Sequence, residues 1–391
     1  MSVHVSRCSH ARIGFIIRKM NKFQHQQQTL SQLNQRSLAF WSSRPDDWTK
    51  AVTEAEKIVG YPTSFMSLRC LLSDELSNVA MHMRKLVGTN HPLLRTARGL
   101  VYDGTHNLQT RGLIVLLMSK TAGVAPHKAQ QLVEKDMIDG ILPSQRSLAE
   151  ITEMIHTANL IHKGVVNLSD LQPNDGPVKD MEFGNKMAVL SGDFLLANAS
   201  TGLAQLNNTK VVEVISSCIG DLISGEFTGL QDRNGNPCLK PDITFSDWTN
   251  QTYLTSGSLL AKSCQAALEL ADHDQNFQKK AFEFGKNMAY AQQLNEDLKP
   301  FITPDDNIDQ MSISSAPVIK YILSQTPGLP VSTLNNLDNR KILNLVKEGC
   351  IIKDCQNLCL EYGQIAIDSL DVFPDSQAKS ALINIVQAVT E

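Results

Sequence analysis

From about Trp48 onward, apolar residues recur at three- and four-residue spacing along most of the chain. Leu148, Ile151, Ile155, Ala158 and the Leu160–Ile161 pair share one side of a 3.6-residue wheel, which predicts an amphipathic helix. The stretch Lys186–Leu206 is rich in Ala and Leu, both strong helix formers, and Val211–Leu222 and Gly257–Leu270 read the same way. Turn-forming residues punctuate the pattern at Gly104–Asn107, Pro173–Pro177 and Asp232–Pro237. Alternating strand-like runs between hairpin turns are almost absent. There is no repeat of fixed period, no clear linker, and no low-complexity stretch beyond Gln26–Gln28. The predicted architecture is one large all-α domain over residues 46–391.

Composition narrows the function classes. The net charge of -4 is near neutral, and both signs are spread along the chain, so the clustered basic face of a nucleic-acid binder is missing. No stretch supplies the roughly 18 consecutive apolar residues of a membrane span. Cys350, Cys355 and Cys359 have no histidine nearby to complete a zinc set, and no CxxC pair occurs. The cysteines read as reduced thiols packed as small hydrophobes. The first 45 residues differ from the rest. They contain no acid before Asp46, but carry Arg7, Arg12, Arg18, Lys19, Lys22, Arg36 and Arg44 among scattered Ser and Gln. That composition predicts a mitochondrial transit peptide over residues 1–45, and a mature protein in the matrix.

The common catalytic signatures are missing: no GxGxxG entering a helix, no GxxxxGK[ST], no GxSxG and no HExxH. Glu153 and His156 lie one turn apart on one helix face. A carboxylate-bridged di-iron bundle would need two such pairs and two further glutamates, and only one pair is found.

Two blocks carry a family signal. The run from Leu148 to His162 resembles the helix that leads into the first aspartate-rich motif of the trans-prenyl diphosphate synthases. The run from Phe183 to Ala199 is similar to that family's FGxxxAVLxGDxLLxxA block, and the spacing between the two blocks also matches. A weaker likeness extends from about Leu86 to the end of the chain. The resemblance implies an isoprenoid synthase-type helical bundle around a central cavity. It also implies an ancestry in joining an allylic diphosphate to isopentenyl diphosphate. In that chemistry two DDxxD motifs hold magnesium, which prefers oxygen ligands and neutralises the departing diphosphate.

Matched to those motifs, this chain is depleted. The first DDxxD falls on Lys163, Gly164, Val165, Val166 and Asn167, so all three aspartates are replaced. The second falls on Glu296 to Pro300, where Glu296 and Asp297 keep carboxylates and Pro300 replaces the last aspartate. The GKRxRP site of the family places Leu108, Gln109 and Arg111 on its lysine and two arginines. The later arginine pair falls on Gln172 and Pro173, and the lysine of the KTxxL run on Thr255. A polyanionic substrate needs such cations. Arg111 is either a residual phosphate contact or a residue that pairs with a neighbouring acid. Glu296 and Asp297 are either residual metal ligands or a solvated helix end. Ala158 matches a tunnel-floor position, and Gly192–Asp193 read as packing and capping.

The resemblance therefore implies a non-catalytic chain that binds no cofactor itself. It would act with a catalytic polyprenyl diphosphate synthase subunit that carries the magnesium, in a hetero-oligomer of heterotetramer type serving ubiquinone side-chain synthesis. Two other readings stand beside it: an isoprenoid-binding protein independent of any synthase, and a self-sufficient prenyltransferase.

Overall fold

The most enclosed helix of the protein lies in the first third of the chain and is apolar or small over most of its length. In the computed structural model, which describes residues 47–60, 86, 89–94, 96, 110–129, 137–228, 238–302, 311–324, 337–347 and 350–390, this helix is α2 (Thr110–Ala122), preceded by α1 (Asp47–Val59). Ten α2 side chains are buried, including every residue from Gly112 to Ser119. A helix that is apolar all round must be enclosed on every side. The enclosure comes from α1, α4 (Pro143–His162), α8 (Ser258–Leu270) and α13 (Gln377–Thr390), all of which pack on it.

The remaining described helices complete the bundle: a single turn α3 (Pro126–Ala129), α5 (Val178–Gln205), α6 (Thr209–Thr228), α7 (Phe245–Thr252), α9 (Gln275–Ile302), α10 (Ala316–Ser324), α11 (Asn339–Lys347) and α12 (Ile351–Asp368). No strand occurs among the described residues, only an isolated bridge between Ile138 and Ile141. The all-α expectation is met. The expected helices over Leu148–Ile161, Lys186–Leu206 and Val211–Leu222 are all present, and each is longer than its apolar pattern. Helix α5 begins early, at Val178, because Met181 and Gly184 continue its buried face through a charged first turn. The break at Pro173–Pro177 is a loop in which Gly176 takes a φ of 118°, open to glycine alone. The breaks at Gly104–Asn107 and Asp232–Pro237, and the basic segment 1–45, lie outside the described residues.

Two local features set the geometry at the ends of the helices. Pro143 occupies the first turn of α4, where a missing N–H costs nothing. Gln145 folds back to accept from the Leu142 N–H at 3.0 Å and donates to the Ala267 carbonyl at 2.9 Å, fastening α4 to α8. Ahead of α8, the backbone widens into a π-turn over Tyr253–Gly257. Such turns redirect side chains that a regular helix would point elsewhere.

Helices α8 and α9 pack at Gly285. A Cβ there would lie 2.8 Å from the Ala261 Cα and 2.9 Å from the Leu260 carbonyl oxygen, both fixed backbone. Gly285→Val should therefore force the two helices apart and cost about 1–3 kcal/mol or more. The drop is measurable as a lower urea midpoint of the purified chain.

Candidate functional site

The site lies where α2 begins, α4 ends and the π-turn passes. Arg111 and Gly112 are in the first turn of α2, whose N–H groups lack helical partners. The buried Glu153 of α4 supplies an acceptor: its Oε1 takes the Gly112 N–H at 2.7 Å. Its Oε2 has no hydrogen-bond partner. Burial pushes the Glu153 carboxyl up to about 7, against the pull of the Gly112 N–H and the Arg111 charge. The Arg111 guanidinium spans 2.9 Å to His156 Nε2 and donates to Ser256 Oγ at 3.2 Å. Burial first, then the charges of Arg111 and Lys163, hold His156 well below its usual value, so it accepts from Arg111 as a neutral ring. Arg111 thus finds neutral acceptors, with Glu153 acting on it through space. Ser256 reaches it only because the π-turn aims it there.

These groups open onto a cleft of about 290 Å³ lined by Arg111, His156, Leu160, Ser256, Gln292, Gln293, Glu296 and Lys299. A larger cleft of about 810 Å³ lies elsewhere, along the first half of α6, the end of α8 and the start of α9. Its charges are taken up by bridges such as Lys210–Glu269 at 3.2 Å and Lys128–Asp272 at 3.1 Å, and none of the motif positions lines it.

Each position matched to the first DDxxD has a definite place. Lys163 ends α4, and its Nζ meets Glu226 Oε1 of α6 at 2.9 Å. Gly164 packs against the chain at Pro92 and Leu93, where a Cβ would lie 3.5 Å from the Leu93 N. The Val166 backbone is clamped by Asn185 of α5, which accepts from its N–H and donates to its carbonyl, both at 2.8 Å. Asn167 caps a 3-10 turn over Leu168–Asp170, accepting from the Ser169 N–H and donating to Asp170 at 2.8 Å.

The second motif is split. Glu296 faces the cleft and is held by Lys299 at 2.5 Å. Asp297 turns the other way and is no solvated helix end. It is partly buried, its Oδ2 accepts from Trp248 Nε1 at 2.9 Å and the Ala316 N–H at 2.8 Å, and its Oδ1 accepts from Gln293 at 2.8 Å. It joins α7, α9 and the start of α10, and burial raises its carboxyl. Pro300 is buried two residues before the end of α9 and has no N–H to give Glu296 its helical bond. Thr255 donates to the Gln251 carbonyl at 2.9 Å. Ala158 lies in a small core with Met187, Ala188 and Leu195 between α4 and α5, away from the cleft. Gly192 makes room for the His162 ring, whose Nε2 is 3.3 Å from Asp193, so this pair serves packing and pairing. Sequence reasoning did not single out Glu226, Asn185 or Ser256, since each matters through a partner distant in the chain.

The donors left here do not fit magnesium. The first motif offers an ammonium, apolar groups and the Asn167 amide, which is spent on capping the next turn; Asp297 is spent on three N–H donors, and among the described residues no cluster of three or more His, Cys, Asp or Glu could hold a metal ion.

Comparison with known proteins places this geometry in context. The family described as polyprenyl synthetase matches residues 103–315. The chain is 51% identical over 356 residues to the All trans-polyprenyl-diphosphate synthase PDSS2 of Mus musculus, covering 89% of this chain and 88% of that protein. It is 33% identical over 377 residues to the probable mitochondrial hexaprenyl pyrophosphate synthase of Neurospora crassa, covering 85% and 83%. It is 29% identical over 354 residues to the decaprenyl-diphosphate synthase subunit 1 of Schizosaccharomyces pombe, covering 85% and 93%. The fold matches the polyprenyl synthase of Caulobacter crescentus CB15, solved with calcium and isoprenyl diphosphate, with a TM-score of 0.63 at 18% identity over 89% of this chain and 99% of that one.

The unpartnered Glu153 oxygen gives a pH test. A carboxyl raised from 4.5 to about 7 on folding makes the native state bind the extra proton, so its cost accrues as pH rises from 4.5 to 7. His156, lowered in the fold, acts in the opposite sense below 6.5. The difference between wild type and Glu153→Gln isolates the first effect. Relative to the variant, the wild type should lose on the order of 3 kcal/mol between pH 4.5 and 8, read from urea unfolding at several pH values.

Proposed function

Because this chain belongs to the polyprenyl synthetase family, we propose that it is the non-catalytic subunit of a heteromeric trans-polyprenyl diphosphate synthase that makes the ubiquinone side chain. The observation that carries the reading is that the charges left at the motif positions and beside them are satisfied within the chain. Lys163 is paired with Glu226, Lys299 with Glu296, and Asp297 is turned into the core. A diphosphate needs cations with free valence, and magnesium needs convergent carboxylates. Apart from Arg111 neither is on offer, so the metal-dependent step belongs to a catalytic partner subunit that carries its own magnesium.

What this chain supplies is a helical scaffold that leaves large apolar side chains open on α5 and α6. Val189 and Leu190 of α5 are exposed, as are Ile223 and Phe227 of α6, the last at 86% of its area. Large apolar side chains left open in this way suit burial against another subunit. The partner we infer is a DDxxD-bearing synthase chain, in an assembly of heterotetramer type. Arg111 is the residue best placed to keep a weak substrate contact, because its two acceptors are neutral and a phosphate oxygen could displace either. Residues 1–45 act as the mitochondrial transit peptide and residues 46–391 as the folded subunit, which works in the matrix. The basic, acid-free composition of the segment supports this, as does the mitochondrial designation of the fungal relative. No helix among the described residues is long and apolar enough to cross a membrane.

The test is an elongation assay with magnesium, farnesyl diphosphate and labelled isopentenyl diphosphate. It uses this chain alone, the candidate catalytic chain alone, and the two co-expressed. Product is expected only from the co-expressed pair. Turnover by this chain alone would make it a self-sufficient enzyme. Tight isoprenoid binding with no synthase recovered beside it would make it a binding protein. Lys163→Asp alone should stay inactive, since the other ligands would still be missing. Phe227→Asp should lower the yield of co-purified partner at least tenfold while the chain itself stays folded by circular dichroism, because a buried unpaired carboxylate opposes association.

A further inference from the structure

Helix α6 has two different faces. Cys218, Asp221 and Gly225 share the side that meets the π-turn and α8, while Gly220, Ile223 and Phe227 fall on the opposite side of the 3.6-residue wheel. On the inner side the Gly225 carbonyl accepts from Gln251 Nε2 at 2.9 Å. A Cβ at Gly225 would lie 2.9 Å from Thr255 Cγ2 and 3.1 Å from Leu254 Cβ, so α6 and the turn touch closely here. One helical turn back, Asp221 accepts from Ser258 Oγ, and Cys218 Sγ donates to the Ser258 carbonyl at 3.7 Å. The π-turn itself is closed by the Ser258 N–H, which donates to the Tyr253 carbonyl five residues earlier. Helix α9 backs its far side, with Tyr253 and Phe282 rings 6.3 Å apart and Ala289 beside Gly257. Between these supports the Ser256 hydroxyl reaches the Arg111 guanidinium at 3.2 Å. The outer side of α6 is bare: Gly220 has nothing within 4 Å of where a Cβ would stand, and Ile223 and Phe227 are exposed.

We propose that the π-turn links the outer face of α6 to the cleft: the seating of α6 sets the register of the turn, and the register decides whether Ser256 holds Arg111. A π-turn carries one residue more than the same span of α-helix, and moving that residue one place along swings a side chain by about 100°. The turn therefore has two discrete arrangements, which is what a coupling element requires. In the observed one Ser256 is on Arg111; in the other it leaves, and the guanidinium keeps only His156. With α9 behind the turn, an advance of α6 at Gly225 presses directly on Thr255. A subunit that buries Ile223 and Phe227 seats α6 against the turn and holds the π register. That subunit is the partner proposed above, on which this last step rests; the link from Gly225 to Arg111 lies within the chain.

The experiment is hydrogen exchange read by mass spectrometry over residues 251–258, in the full chain alone and co-purified with the candidate catalytic chain. Docking should slow exchange there about tenfold. A complex that forms while the turn exchanges as before overturns the proposal and leaves the subunit reading standing. Failure to recover any complex sinks the subunit reading and the docking step with it, and the isolated chain then decides the rest. In that chain Gly225→Ala sets a methyl against Thr255 and should speed exchange of the turn about tenfold, whereas Gly220→Ala, whose methyl meets open space, should leave it as in wild type. Equal exchange in these two variants overturns the link. Ser256→Ala should speed the turn as Gly225→Ala does, and the double variant should go no faster, because both release the same hold. Effects that multiply in the double variant would make the two contacts independent and overturn the link as well. If Gly225→Ala does not fold, Gln251→Met, which keeps the bulk and loses the bond to the Gly225 carbonyl, takes its place with the same expected outcomes.

Discussion

Everything in this bundle answers to one constraint: α2 has no face that water can wet. Enclosing it on all sides builds the core, and burying an apolar side chain such as Leu113 or Leu117 contributes roughly 1.5–3 kcal/mol each. The enclosure has a consequence at the helix start. The first N–H groups of α2 and the Arg111 guanidinium are carried out of water with it, and unsatisfied groups there would cost about 1–3 kcal/mol apiece. Glu153, His156 and Ser256 are the acceptors that meet this demand. They come from α4 and the π-turn, so the helices that close the core also build the floor of the cleft.

A half-buried arginine, a buried carboxylate and a buried imidazole are weak evidence for stability, because desolvation offsets much of the attraction. Their value is positional. Glu153 holds the start of α2 by its backbone, and Arg111 holds α4 to the π-turn. The trio therefore fixes three elements around the cleft, whatever the cleft does or does not bind. Asp297 has the same character one layer away, where a carboxylate at a motif position is committed to an indole and a helix start.

Much of this fold was legible in the residues. The 3.6-residue periodicity of Leu148–Ile161 and the Ala- and Leu-rich run after Lys186 gave the helices, because amphipathic burial is a local signal. The depletion of the first motif was equally plain, since a lysine and two valines cannot ligate magnesium. What stayed hidden was pairing at long range. Glu226 looks like any exposed acid until α6 is laid beside α4, and nothing near Asp297 in sequence announces Trp248 or the Ala316 N–H. The π-turn was invisible for another reason. Tyr253–Gly257 has ordinary helical composition, and the extra residue per turn is imposed by packing against α6 and α9. Ala158 was placed by matching alone; the packing of α4 on α5 decides that it faces Met187 and Leu195.

The remaining step concerns what a closed site does to the surface around it. An open metal site draws its order from ligands that come and go, so neighbouring helices must tolerate movement. Here the end of α4 is fastened by chain-encoded contacts: Lys163 to Glu226, Asn185 to the Val166 backbone, and His162 against Gly192 and Asp193. Each of these joins the end of α4 to α5 or α6. Those are the two helices that expose Val189, Leu190, Ile223 and Phe227. A half-exposed ion pair is worth little in stability, commonly about 0.2–1 kcal/mol. Several such ties on adjacent helices nevertheless remove freedom that a docking partner would otherwise have to freeze, and pre-organisation of that kind strengthens association without any new contact. The substitutions that closed the cleft and the apolar face that stands open are thus two sides of the same pair of helices.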